Sequence, residues 1–175
     1  MNENLLILVD KNDNETGVMD KLTVHQKGVL HRAFSIFVFN SNMELLLQQR
    51  ADDKYHSGGL WSNTCCSHPL KNEIMEESVV RRLKEEMGIE CNTEFKFSFI
   101  YKHLFENGLT KHELDHVYFG NSDQIPVFNP KEVKAYRYIG LEKLEKEISE
   151  YPDRFTIWLR ICFPLIKQYF SKNKP

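Results

Sequence analysis

Along this chain the apolar positions switch between a period of two and a period near four, and each switch marks an element. LLILV (5–9) is an unbroken apolar run of strand length. HRAFSIFVFN (31–40) and MELLLQQR (43–50) read as two strands, with turn residues around Asn40, Ser41 and Asn42 joining them as a hairpin. From Arg50 to Leu70 no helical period exists, and the Gly, Asn and Ser content predicts a long positioned loop with a brief extended stretch at 64–68. Between Glu73 and Met87 the pattern changes. Met75, Val79, Leu83 and Met87 recur at helical spacing among charged residues, and Gly88 supplies a stop. EFKFSFIY (94–101), ELDHVYFG (113–120) and EVKAYRYIG (132–140) alternate as strands. LEKLEKEI (141–148) and RFTIWLRICFPLIKQYF (154–170) predict two closing helices, the second interrupted near Pro164. Residues from about 166 read as a C-terminal tail, with SKNKP (171–175) frayed. Interleaved strands and helices predict an α/β or α+β architecture in which helices cover a mixed sheet, with an N-terminal strand extension.

Composition narrows the picture without changing it. The chain has 175 residues, 41% hydrophobic and 27% charged, which suits one globular domain spanning 1–175. A formal charge of -2 argues against nucleic acid as a partner and leaves room for a small anion held by local cations. The N-terminal apolar run is five residues long and has no basic leader, so neither a signal peptide nor a membrane span is expected there, and the cytoplasm is the expected location. There, Cys65, Cys66, Cys91 and Cys162 would be reduced thiols, and adjacent cysteines are poor disulfide partners in any case.

The chemistry concentrates in and around the central helix. SHPLKNEIMEESVVRRLKEEMGI (67–89) resembles the Nudix box, with Glu73, Arg81, Leu83, Glu85, Glu86, Gly88 and Ile89 on the signature positions. A solvated amphipathic face with pairs such as Arg82 and Glu86 would account for some of these charges. Seven spaced matches exceed what such a face requires. Two positions depart: Ser67 stands for the signature Gly, and Arg82 for the first Glu of an Arg-Glu pair. Exchanging a hard metal ligand for a guanidinium fork favours gripping a diphosphate over cutting it.

From about residue 5 to 165 the chain resembles type I isopentenyl-diphosphate isomerases, a family with the Nudix fold. The resemblance is carried by DKLTVHQKGVLHRAFS, LLQQRADDKYHSGGLWSNTCCSHP, the altered box, HELDH and FTIWL. It implies isomerisation of isopentenyl to dimethylallyl diphosphate, through protonation, a tertiary carbocation and deprotonation, in isoprenoid biosynthesis. It also implies a divalent metal (Mn²⁺, Mg²⁺ or Zn²⁺) at His25, His31, His68 and Glu113, and a second Mg²⁺ at Glu86 bridging to the diphosphate. Lys21, Arg50, Lys54 and Arg82 would hold that diphosphate. Cys66 and Glu113, the latter assisted by Tyr101, would transfer protons from opposite sides, with nearby cations favouring a Cys66 thiolate. Trp158 would face the cation with its π system, although an amphipathic anchor in a closing helix would look the same in sequence.

One position breaks the family pattern. Where the family has Glu-any-Glu on a strand, this chain has Lys111 and Glu113. Alternation places Lys111, Glu113 and Asp115 on one face and His112 and His116 on the other. A lysine in place of a ligand removes a donor and repels the ion, so weakened metal binding is expected. Two other readings follow: a Nudix pyrophosphohydrolase, or a non-catalytic binder of isoprenoid diphosphate or metal. A monomer or homodimer is expected.

Overall fold

A computed structural model describes residues 5–54 and 56–173 of the protein. Its elements are strands β1 (Leu5–Val9) and β2 (Glu15–Asp20), helix α1 (Lys21–Lys27), strands β3 (His31–Phe39), β4 (Glu44–Arg50), β5 (Trp61–Ser62) and β6 (Cys65–Ser67), helix α2 (Met75–Met87), strands β7 (Thr93–Leu104), β8 (Thr110–Asn121) and β9 (Val133–Gly140), and helices α3 (Leu141–Glu150) and α4 (Ile157–Lys172). The sheet is mixed and the architecture α+β. β3 runs parallel to β8, with His31 opposite Glu113, while β4 pairs antiparallel with β9 and β7 with β8.

β3 organises two cores because its side chains alternate. Phe34, Ile36 and Val38 point to one side and meet Val79, Leu83 and Met87 of α2, together with Leu46, Tyr118 and Val133. Phe37 and Phe39 point to the other, where Leu144 of α3 and Leu159, Cys162, Phe163 and Ile166 of α4 cover them. The sheet is therefore sandwiched between helices.

The hairpin expected over 31–50 opens. Its arms pair at the turn, Phe39 opposite Leu45, and then part. Residues 61–67 enter the gap: β5 pairs with β4, Gln48 opposite Ser62, and β6 pairs with β3, Ser35 opposite Cys66. Thr64 stitches the split together, since its Oγ accepts from Val38 N at 2.9 Å and donates to Leu46 O at 2.6 Å. Asn63 adds bonds from its amide to Ile36 O and Cys65 O. The expected long loop is thus partly sheet.

Three further expectations are corrected. α1 and β2 were not anticipated: α1 is short and polar, and its signals are the Asp20 cap, which accepts from Leu22 N and Thr23 N, and Gly28 in the left-handed region at φ 62°. α4 continues through Pro164 without interruption. That residue lies on the exposed side, while Cys162, Phe163 and Ile166 stay packed. The expected tail from 166 is the last part of α4, in which Ile166 is fully buried and Tyr169 and Phe170 pack on the core. Ser171 and Lys172 are helical, Asn173 caps the helix, and residues 174–175 lie outside those described.

Candidate active site

α1, the start of β3, the residue just after β6 and the first half of β8 deliver His25, His31, His68 and Glu113 to one buried point. One ligand atom from each lies within 4.8 Å of all the others. The backbone orients two of the rings: His25 Nδ1 lies 2.7 Å from Lys21 O, and His31 Nδ1 lies 2.9 Å from Val29 O. A ring nitrogen facing a carbonyl must carry a proton, so it is Nε2 of the neutral ring that offers a lone pair. His31 Nε2 is buried, without a hydrogen-bond partner, and 3.6 Å from Glu113 Oε1. His68 Nε2 lies 3.1 Å from the same oxygen.

Burial lowers His25 to about 4 and holds His68 well below the usual histidine range, so both rings are neutral. Burial works the other way on Glu113, but the charge of Lys111 and the neighbouring His31 and His68 rings overcome it and keep the carboxylate ionised. Three imidazoles and one carboxylate, two of the rings oriented by carbonyls, are a donor set that could hold a divalent ion.

The strand face places two more groups beside this quartet. Lys111 Nζ is 3.1 Å from Glu113 Oε1 and 4.1 Å from the centroid of the Trp158 ring. Tyr101, opposite Glu113 in the β7–β8 register, donates its hydroxyl to Glu113 Oε2 at 2.5 Å. Trp158 is buried at the start of α4, and its indole N–H donates to Ser62 Oγ at 2.8 Å. Asp115 accepts from Ser35 Oγ at 2.8 Å, and burial together with the charge of Glu113 pushes it up to about 8.

Next to the quartet lies a cavity of about 80 Å³ lined by Lys21, Arg50, Lys54, Arg82 and Lys111. Cys66, His68 and Glu86 also line it. Cys66 and His68 share this side of β6 while Cys65 packs in the core against α2, as a period of two requires. The cations are balanced by acids: Lys54 pairs with Glu132 at 2.5 Å, and Arg82 bonds Glu85 at 2.7 Å and also Glu86. Both Glu86 oxygens are engaged, the second by Gln48 Nε2 at 2.9 Å. Arg82, expected at the diphosphate, lines the cavity and also directs its guanidinium to these box carboxylates.

One electrostatic expectation is corrected. Burial pushes the Cys66 thiol up to about 11, and the opposing pull of Lys111 and Arg50 does not reverse this, so the group is S–H and not thiolate in the resting site.

Sequence reasoning also missed two residues here. His56 lines the cavity, stacks on Phe105 with centroids 4.6 Å apart, and meets Trp158 edge-on at 5.7 Å. Burial drives it to about 2, so it acts as a neutral aromatic wall. Glu132 sits in a stretch that reads only as a strand start, and nothing local marks it.

The fold and the box define the class: a NUDIX domain family model matches residues 29–159. Solved structures agree on the fold, with the DR0079 protein of Deinococcus radiodurans at TM-score 0.69 and 21% identity, covering 84% of this chain and 90% of that one. A MutT protein from Methanosarcina mazei gives 0.67 and 20%, covering 83% and 96%. Within that class the chain belongs to the isopentenyl-diphosphate Delta-isomerase family. It is 50% identical to isopentenyl-diphosphate Delta-isomerase 2 of Aromatoleum aromaticum over 98% of this chain and 90% of the relative. It is 48% identical to the isopentenyl-diphosphate Delta-isomerase of Pectobacterium atrosepticum, over 97% and 94%. Among the described residues, no helix is long and apolar enough to cross a membrane.

Proposed function

We propose that this protein interconverts isopentenyl diphosphate and dimethylallyl diphosphate. The observation that carries the reading is the junction of a cation-lined cavity containing Cys66 with a buried Glu113–Tyr101 pair, joined by Lys111, which lines the cavity, pairs with Glu113 and lies over the Trp158 ring. Lys21, Arg50, Lys54 and Arg82 hold the diphosphate; Arg82 and Lys54 are first released from Glu86 and Glu132 as phosphate oxygens replace those carboxylates.

Moving the double bond adds a proton at one end of the allylic system and removes one two carbons away. The Glu113–Tyr101 side gives the first and Cys66 takes the second. The resting site, with S–H on Cys66 and a carboxylate at Glu113, holds the same number of protons as the working form with thiolate and carboxyl. It is the state left after a turnover toward dimethylallyl diphosphate, and the state from which the reverse reaction starts. Trp158 presents its π face to the developing cation, and the buried walls exclude the water that would trap it.

A Mg²⁺ at Glu86 would neutralise phosphate oxygens. The reading places the protein in the cytoplasm, where its thiols stay reduced.

The test is to incubate the protein with isopentenyl diphosphate and Mg²⁺ and follow proton and phosphorus NMR. Dimethylallyl diphosphate is expected. Free phosphate would support a pyrophosphohydrolase instead, and an unchanged substrate a binding protein.

A further inference from the structure

Lys111 is a buried lysine, only 6% exposed, placed inside a cluster built of metal-ligand donors. Its ammonium rests on Glu113 Oε1, the same oxygen toward which His68 and His31 direct their Nε2 atoms at 3.1 and 3.6 Å. An ion bound to that oxygen would sit about 2.0–2.2 Å from it, and therefore within roughly 5.3 Å of the ammonium. Like charges so close, away from water, repel strongly.

Charge counting points the same way. Glu113 is the one carboxylate of the quartet and already forms an ion pair with Lys111, so its negative charge has a partner. A divalent ion would leave two uncompensated positive charges. The ammonium is also anchored a second time, over the ring of Trp158, whose orientation is fixed by the bond to Ser62. Displacing it costs both contacts.

We propose that Lys111 is the resident cation of the His25–His31–His68–Glu113 centre, neutralising Glu113 in place of a divalent ion and keeping the centre assembled without metal. The quartet does not become a worse ligand set; it becomes one whose cation is part of the chain. This role for Lys111 depends on the geometry of the quartet and not on the reaction catalysed.

The experiment is a Co²⁺ titration followed by the visible d–d bands of the bound ion, preceded by elemental analysis after dialysis against a chelator. It compares the native protein with Lys111→Met, which keeps length without charge, and Lys111→Arg, which keeps charge. The native protein should carry no stoichiometric metal through dialysis and keep its melting temperature. Lys111→Met should bind Co²⁺ at least about 100-fold more tightly than the native chain, while Lys111→Arg stays weak. One tightly held equivalent in the dialysed native protein, or equal affinities in the native and Met forms, would overturn the proposal. Should Lys111→Met fail to fold, the metal content of the native protein and the Lys111→Gln titration decide the matter in the same way.

Discussion

Cys65 and Cys66 are neighbours in sequence with different surroundings: the first is sealed among Val79, Leu83 and Met87, and the second opens onto the cations of the diphosphate cavity. Replacing Cys66 by serine should lower kcat by about 10²–10⁴-fold, because a hydroxyl is a far weaker proton carrier, whereas Cys65→Ala should cost stability and leave kcat nearly unchanged. Steady-state kinetics with thermal melting separates the two. Ser62 matters through Trp158. Its hydroxyl accepts from the indole and from Thr156 and donates to Asn63. Ser62→Ala should leave the indole N–H buried without a partner, costing about 1–3 kcal/mol, and should reduce kcat more than it raises KM. The quartet residues were legible at this scale because imidazoles and a carboxylate matched family positions. The charge state of Cys66 was not, because burial depends on chain segments that no local spacing reveals.

At the scale of elements, α2 is held at both ends by features written in the sequence. Glu73 takes two bonds from Arg81, at 2.6 and 2.9 Å, and one from Leu70 N, and these hold its carboxyl down at about 2 despite partial burial. A carboxylate with a lowered folded-state pKa contributes stability that is complete above its unfolded value near 4.5 and is lost as pH falls toward about 2. Glu73→Gln should therefore destabilise the protein by about 1–3 kcal/mol at pH 7 and by much less near pH 2.5, as measured by denaturant titration. At the other end Gly88 adopts φ 66°, and a Cβ there would come within 2.4 Å of Val127 O. Gly88→Ala should cost more than the roughly 1–2 kcal/mol of left-handed strain alone.

The helix boundary was readable for the same reason that it is stable: the charges and the glycine stand where backbone geometry needs them. The opening of the 31–50 hairpin was not readable. It depends on residues 61–67 arriving from a later part of the chain, with Thr64 bonding both arms. The run through Pro164 was misread because the proline rule takes no account of which side of a helix faces water.

For the whole molecule, the mixed sheet and its two helical covers were predictable from alternation, since each strand of the core carries apolar residues on faces that need covering. A net charge of -2 with five cations turned into one cavity makes the field around the protein uneven. Capture of the diphosphate should accordingly weaken with ionic strength, so that kcat/KM falls as salt is raised while kcat changes little.

The fate of one proton tests the proposed mechanism most directly. With isopentenyl diphosphate in deuterated water, proton entry from the Glu113–Tyr101 side predicts dimethylallyl diphosphate carrying solvent deuterium in its new methyl group, and no deuterated product from Cys66→Ser at comparable rate. Dimethylallyl diphosphate formed without solvent deuterium, or formed equally well by the serine variant, would contradict it.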